Sequence, residues 1–275
     1  MIRKKLGFLG PGGTFSEEAA MIYCRKRDME LIEYPTIPSV IKAVVDSEVE
    51  ESIVPLDNNL EGGIAATLDH LVRLSEIYIS HEIICPIRQC LMAVEKIKFE
   101  DILQVISHPH ALGQCAGFLE NKFKHAELIP VESTAAAARL VSCFQDAAAI
   151  APKRAADLFN LCILKEGIQD VVENQTRFIV LSHADHPPTG NDKTSLVMTI
   201  PDGAGSLYKI LGFFAERNIN LTRIESRPSR QIIGDWLFFI DCEGHRNEPG
   251  REELWKSIEG AVPFLKLLGS YPVHR

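Results

Sequence analysis

A chain of 275 residues, 46% of them apolar and 24% charged, can bury one large core or two smaller ones and is not the composition of a disordered protein. Its net charge of −8 argues against a nucleic-acid binder, which needs a basic face, and means that an anionic ligand must be met by a local cluster of donors. Seven scattered cysteines with no C-x-x-C pair argue against a disulfide framework, and no long apolar run follows the basic start, so a soluble, cytoplasmic chain without signal peptide or membrane span is expected.

Up to about residue 183, short apolar runs alternate with amphipathic stretches. Strands are predicted at 6–9, 31–34, 52–54, 105–107, 127–130 and 147–150, and helices at 16–27, 39–46, 64–74, 109–121, 133–144 and 153–159. Strand–helix alternation implies an α/β sheet with ligands at the carboxyl ends of strands. Extended segments at 77–84 and 177–183 interrupt it, as two crossings between lobes joined by a hinge would. The polar stretch Ala184–Lys193, with Pro187, Pro188 and Gly190, reads as a linker. Beyond it the pattern is strand 194–200, helix 206–217, strands 219–226 and 236–242, helix 252–260 and strand 265–270, a ferredoxin-like βαββαβ unit. The charge divides there too: residues 1–192 carry 18 basic and 27 acidic groups, residues 193–275 carry 11 and 10.

Five segments of the first part hold candidate chemistry. Gly10-Pro11-Gly12-Gly13-Thr14-Phe15-Ser16 joins the first strand to the first helix; it reads as an anion-binding loop or as a tight turn with Ser16 as helix cap. Phe15 stands where a dinucleotide fingerprint needs its third glycine, which disfavours a nicotinamide-dependent dehydrogenase. Val54–Gly63 leaves a strand for a turn rich in amide side chains. Ser107-His108-Pro109-His110, with Cys115 beyond, matches no zinc spacing, so no metal is expected. Glu132-Ser133-Thr134 is a hydroxyl-rich helix start. Asn174-Gln175-Thr176-Arg177-Phe178 gathers amide, hydroxyl and guanidinium groups at a strand entry, a carboxylate-binding set or simply a polar edge; Phe178 is expected in the core.

Taken in order, GPGGTFS at 10–16, VPLDNN…EGG at 54–63, SHPHALGQC at 107–115, ESTAAAA at 132–138 and NQTRF at 174–178 resemble the prephenate dehydratases over nearly the whole chain. The C-terminal part, with GSL at 205–207, NINLTRI at 218–224 and ESRP at 225–228, is similar to an ACT domain. The chain departs from the family at Asp57-Asn58-Asn59, where Glu-Asn-Ser is usual, and at Ala204-Gly205, where Pro-Gly is usual.

The resemblance implies a two-lobed α/β catalytic region like a type II periplasmic binding protein over residues 1–183, with lobe one at about 1–80 plus 172–183 and lobe two at about 81–171. A ferredoxin-like ACT domain over 194–275 follows. It implies conversion of prephenate to phenylpyruvate without cofactor, Thr176 donating to the departing hydroxyl, and Arg177 and Asn58 acting beside it. Thr14, Ser16, Asn59, Ser133, Thr134 and Asn174 would hold substrate. Phenylalanine would be sensed between paired ACT domains of a homodimer or homotetramer through Gly205, Ser206, Leu207, Asn220 and Leu221, with Glu225 and Arg227 linking that site to the cleft. No helical extension precedes residue 1, so a fused chorismate mutase is not expected. Arogenate dehydratase, or a non-catalytic amino-acid sensor on the same scaffold, is the alternative.

Overall fold

The structure, a computed structural model, describes residues 3–229 and 236–274. Lobe one is built on a sheet of β1 (Lys4–Leu9), β2 (Met29–Tyr34), β3 (Glu51–Asn58), the two-residue β4 (Gly62–Gly63), β5 (Tyr78–Pro86) and β11 (Gln175–Ser182), in the order β2-β1-β3-β11-β5 with β4 on β3. Lobe two is a five-stranded sheet of β6 (Cys90–Ala93), β7 (Gln104–Ser107), β8 (Glu127–Pro130), β9 (Ala147–Ala151) and β10 (Cys162–Glu166), in the order β10-β6-β9-β7-β8. The chain thus crosses out after β5 and returns as β11, which inserts antiparallel between β3 and β5. The two crossing segments bind each other: the Ile87 amide donates to the Asn174 carbonyl (2.8 Å) and the Gly167 amide to the Gln89 carbonyl (3.0 Å). This is the two-lobed mixed α/β plan that the sequence implies. The boundary expected near residue 80 falls inside β5, whose whole length belongs to the first sheet. Strands β6 and β10 were not legible in the pattern. Each has only four or five residues, and neither shows alternation: β6 is buried throughout.

The helices of lobe one are α1 (Phe15–Cys24), α2 (Ile37–Val45) and α3 (Ala65–Arg73). Those of lobe two are α4 (Pro109–Gln114), α5 (Ala116–Lys122), α6 (Thr134–Val141) and α7 (Lys153–Phe159). The single helix expected over 109–121 breaks at Cys115 into α4 and α5. Caps behave as their side chains dictate. The Thr36 hydroxyl accepts from the Ser39 amide, and Ser133 accepts from the Ala136 amide (3.0 Å). Alanine is the packing residue of lobe two: Ala137, Ala138, Ala147, Ala149, Ala151 and Ala155 form most of one core cluster and let α6 and α7 lie close to the sheet. Gly13, at φ 85°, uses that closeness; a Cβ there would meet Ala135 and Ala155 at 3.4 Å, so the first loop of lobe one lies against lobe two.

The ACT unit is a four-stranded sheet of β12 (Asp192–Thr199), β13 (Leu221–Pro228), β14 (Trp236–Glu243) and β15 (Phe264–Pro272), ordered β13-β14-β12-β15, with α8 (Ser206–Ala215) and α9 (Arg251–Glu259). One face buries Leu196, Met198, Ile240 and Cys242 against the helices. The other sends Val197, Phe239, Leu268 and Tyr271 into the core of lobe one, beside Leu56, Leu71 and Ile79. The ACT sheet is therefore covered on both faces. Lys266 of β15 adds a polar tie, donating to the carbonyls of Leu71 (2.6 Å) and Leu74 at the end of α3, where a cation suits the helix dipole. The segment read as a linker is fastened rather than loose: the Asp185 carboxylate accepts from the Ser270 amide (3.0 Å) and pairs with Arg246 (2.8 Å). Among the described residues no helix is long and apolar enough to cross a membrane.

Candidate active site

Where β3, β11 and the crossings meet α4 and α6, the lobes enclose a cleft of about 390 Å³. That size is ordinary for a small-molecule site, typically about 300–1,000 Å³. Thr176, Asn58, Glu61, Gln89, Gln114, Thr134, His108 and His110 supply its polar lining, and Phe15, Pro55, Ile64 and Ile87 its apolar wall. Phe15, the residue that spoils the dinucleotide fingerprint, is part of this wall.

Thr176 and Asn58 face each other across the β3–β11 register. The Asn58 amide nitrogen donates to Thr176 Oγ1 (2.9 Å), to Asn174 Oδ1 (2.8 Å) and to the Gln175 carbonyl (3.1 Å). Its oxygen accepts from the Leu60 and Glu61 amides (2.9 and 3.2 Å), which fixes the orientation of the amide. Thr176 thus receives a hydrogen bond, while its own hydroxyl proton has no acceptor among the described residues. An alcohol held this way presents O–H to whatever occupies the cleft, and the bond it accepts polarises that O–H. Asn58 is the group that aims it.

The remaining residues expected at the site divide. Thr134 lines the cleft, but Ser133 caps α6 and opens into a neighbouring cavity of about 800 Å³. Asn174 faces a third cavity and meets the cleft through its neighbours, accepting from the Asn58 side chain and from the Ile87 amide. Asn59 is spent on the backbone, donating to the Glu173 carbonyl (2.7 Å) and accepting from the Gln175 amide (2.8 Å). Thr14 occupies the N-cap position of α1, its hydroxyl donating to the Pro11 carbonyl (3.0 Å), and Ser16 is buried at the second helical position, so the cap expected at Ser16 belongs to the residue two before it. Neither lines the cleft. The anion-binding reading of the glycine loop fails for a definite reason. Both amides at its turn already have carboxylate acceptors: Gly12 donates to Glu33 (2.9 Å) and Gly13 to Glu17 (2.6 Å), while Gly10 donates to the Tyr34 carbonyl (2.9 Å).

Arg177 is the largest correction. It was expected to hold a substrate carboxylate beside Thr176. Adjacent strand residues point to opposite faces, however, and Arg177 points away from the cleft into the ACT interface. There its guanidinium donates to Asp241 (2.6 Å) and to the Tyr271 hydroxyl (2.6 Å), and lies 2.9 Å from Glu82 and 3.5 Å from Asp57. The signal was present in the sequence. Extending the alternation of Ile179–Leu181 back by three residues puts Thr176 with Phe178, and Arg177 with Ile179. Phe178 is in the core, as expected.

Neither Lys nor Arg lines the cleft among the described residues; His108 and His110 are the basic side chains in its lining. Burial, with His110 nearby, lowers the pKa of His108. His110 faces Glu61 of lobe one at 3.0 Å, and Gln114 donates to the same carboxylate (3.2 Å) and accepts from Gln89 (3.2 Å). These contacts, with Arg154 of α7 on Glu17 of α1 (3.1 Å), bridge the lobes. Gln89, the one polar lining residue outside the five motifs, was not among the residues the sequence singled out. Cys115 does not complete a metal site with the histidines: it is fully buried, and desolvation pushes its thiol up to about 12, so it stays protonated. Catalytic activity should therefore survive dialysis against a strong chelator, and a loss restored by added zinc would overturn this.

At the effector segments, Gly205 (φ 85°) starts α8, followed by Ser206 and Leu207, and Asn220 precedes β13 with its amide donating to Glu243 (2.9 Å). Leu221 begins that strand. From Arg223 on, alternate residues turn toward lobe one. Arg223 pairs with Asp57 (3.1 Å) and with Glu225, Arg227 lies 3.9 Å from Asp69, and Glu225 abuts Gly63 so closely that any side chain at 63 would overlap its carboxylate.

Residues 6–186 match the family model for prephenate dehydratase, and residues 194–260 match that for the ACT domain. The chain belongs to the prephenate dehydratase family. It is 40% identical to the prephenate dehydratase of Methanocaldococcus jannaschii, with 96% of each chain covered. It is 38% identical to the bifunctional chorismate mutase/prephenate dehydratase of Aquifex aeolicus, over 98% of this chain and 73% of that one. The crystal structure of the Arthrobacter aurescens prephenate dehydratase in complex with L-Phe superposes with a TM-score of 0.88 at 34% identity, covering 98% of this chain and 90% of that one.

Proposed function

We propose that the cleft converts prephenate to phenylpyruvate and that Thr176 is its principal catalytic group. The observation that carries this reading is the Thr176 hydroxyl, aimed by Asn58 with its proton unspent, in a cleft of a prephenate dehydratase family member. In the reaction the bond from the ring to its hydroxyl breaks and the carboxylate on the opposite ring carbon leaves as carbon dioxide. The electron pair of the broken C–C bond completes the aromatic ring. Aromatisation makes this strongly downhill, so the enzyme has only to stabilise the departing hydroxyl and hold the ring. Thr176 donates to that hydroxyl; a neutral alcohol is a weak acid, so position and local field supply most of the effect. The two substrate carboxylates face Thr134, His108, His110 and backbone amides rather than a guanidinium, and the ring rests on Phe15 and Ile87.

The ACT unit is the regulatory part of this reading. L-phenylalanine binds at Gly205–Leu207 and Asn220–Leu221 between two copies of the chain, and favours an inactive arrangement by its higher affinity for it. The bound L-Phe of the Arthrobacter aurescens protein supports this effector. Seven free thiols fit a reducing, cytoplasmic setting.

One experiment tests the reading. Purified protein is supplied with prephenate, then with arogenate, without cofactor, while phenylpyruvate and phenylalanine are followed and L-phenylalanine is titrated by calorimetry. Phenylpyruvate from prephenate, with saturable phenylalanine binding that changes the rate, is expected. Turnover of arogenate alone makes the chain an arogenate dehydratase. Phenylalanine binding with no turnover of either makes it a sensor.

A further inference from the structure

Two residues on each of two neighbouring strands form a unit with two faces. On β3, Asn58 faces the cleft and Asp57 the ACT domain; on β11, Thr176 faces the cleft and Arg177 the ACT domain. The pairs are in register, Thr176 opposite Asn58 and Arg177 opposite Asp57. In front, the two strands are joined by the hydrogen bond that aims the Thr176 hydroxyl. Behind, Arg177 is 8% exposed and meets groups from four other strands: Glu82 of β5, Asp57 of β3, and Asp241 of β14 and Tyr271 of β15 in the ACT sheet. Asp241 is held in turn by Ser195 (2.5 Å), and Asp57 by Arg223 (3.1 Å), which pairs with Glu225 on the strand that begins at Leu221. No catalytic role in the cleft is open to Arg177 itself, and the chain pays a desolvation cost to bury three carboxylates and a guanidinium together.

We propose that Arg177, gripped by Asp241 and Tyr271, is a positioning residue through which the ACT sheet sets the alignment of Thr176 with Asn58, so that a shift of that sheet against lobe one switches the catalytic hydroxyl. This rests on the dehydratase reading above. The physical reason is stiffness. Residues 176 and 177 share a peptide plane, and the buried Arg177 side chain is anchored at its far end by Asp241, Tyr271 and Glu82, so the part of a shift in those anchors that its torsions do not absorb reaches the backbone and turns its neighbour. A misplacement of that size costs up to about a hundredfold in rate. The register irregularity between Arg177 and Phe178 in the β3 pairing places the one break in the ladder just beyond the unit, where it can absorb such a turn.

The test uses Asp241→Asn, which removes a charge on the ACT side, and Tyr271→Phe, which removes only a hydroxyl and keeps the ring in the core. Both are read for kcat, KM and the phenylalanine response in full-length protein, and for the Thr176 methyl resonance in threonine-labelled protein. Expected are a fall in kcat of about tenfold for Asp241→Asn and a smaller one for Tyr271→Phe, with KM within about twofold, a weakened phenylalanine response, and a displaced Thr176 methyl signal in both. A purely structural network would lower the melting temperature and leave kcat and the methyl signal of the folded protein unchanged; that result overturns the proposal. If Asp241→Asn does not fold, Tyr271→Phe decides alone. The methyl signal separates this inference from the dehydratase reading. Wild-type protein that turns over no prephenate removes the reading, whereas an unmoved Thr176 signal removes the coupling whatever the activity.

Discussion

Thr176→Val should lower kcat for prephenate by at least about a hundredfold, the usual scale for a lost proton donor or an oriented hydrogen-bond group. The substitution keeps the branched Cβ that suits a strand, so the strand should be undisturbed. Asn58 would lose one of its three acceptors and keep the Asn174 oxygen and the Gln175 carbonyl, so no buried donor is orphaned. KM should change little, because the interaction strengthens as the C–O bond breaks and contributes little to ground-state binding. Thr176→Ser should retain part of the rate, since it keeps the hydroxyl and loses only the methyl that restricts its rotamer. Steady-state kinetics with circular dichroism to confirm folding would check this. Near-wild-type turnover in the valine variant would falsify the assignment.

Arg177→Met should destabilise the protein by about 3–5 kcal/mol, the cost of breaking a buried ion pair from one side. Asp241 is the reason. Burial opposes its carboxylate, and Arg177, with Arg223, outweighs burial and holds its pKa below the ordinary value. Asp57 already lies on the other side of that balance: burial raises its pKa, and the two arginines only partly offset it. Without Arg177, both carboxylates titrate above their unfolded values near 4. The folded variant then binds more protons than the unfolded chain from about pH 4 up to those raised pKa values, so its stability falls as pH rises through that window. Urea melts of wild type and variant across that range would measure it. A deficit under about 1 kcal/mol at neutral pH, or one that does not grow with pH, would show that Arg177 is not what neutralises this interface.

Local sequence features carried most of the element plan. Period-two and period-3.6 runs placed strands and helices because side-chain periodicity follows from backbone geometry alone. They placed the βαββαβ unit to within a few residues of each boundary. The order of five motifs carried the family, and GPGGTFS marked a real strand-to-helix turn. Those same motifs misassigned individual side chains, since a motif records which residues keep company along the chain and not which way each one points. Thr176 and Arg177 are neighbours in NQTRF and lie on opposite faces of β11. Ser133 and Thr134 are neighbours in ESTAAAA and open into different cavities.

What the sequence by itself determined is therefore most of the elements, with β6, β10 and the break between α4 and α5 missed, the division into catalytic and ACT units, and, through the family motifs, Thr176 and Asn58 as members of the site. Only the tertiary structure decided what each polar group is for, because the partners come from far along the chain. The acceptors of Arg177 are 64 and 94 residues away. The amide that aims Thr176 is 118 residues away. The carboxylate of Glu33 that fills the glycine loop is 21 residues from it, on another strand. A guanidinium beside a free carboxylate ligand and one beside three buried aspartate and glutamate groups look alike in a linear pattern. Desolvation and pairing separate them, and both are properties of the packed interior.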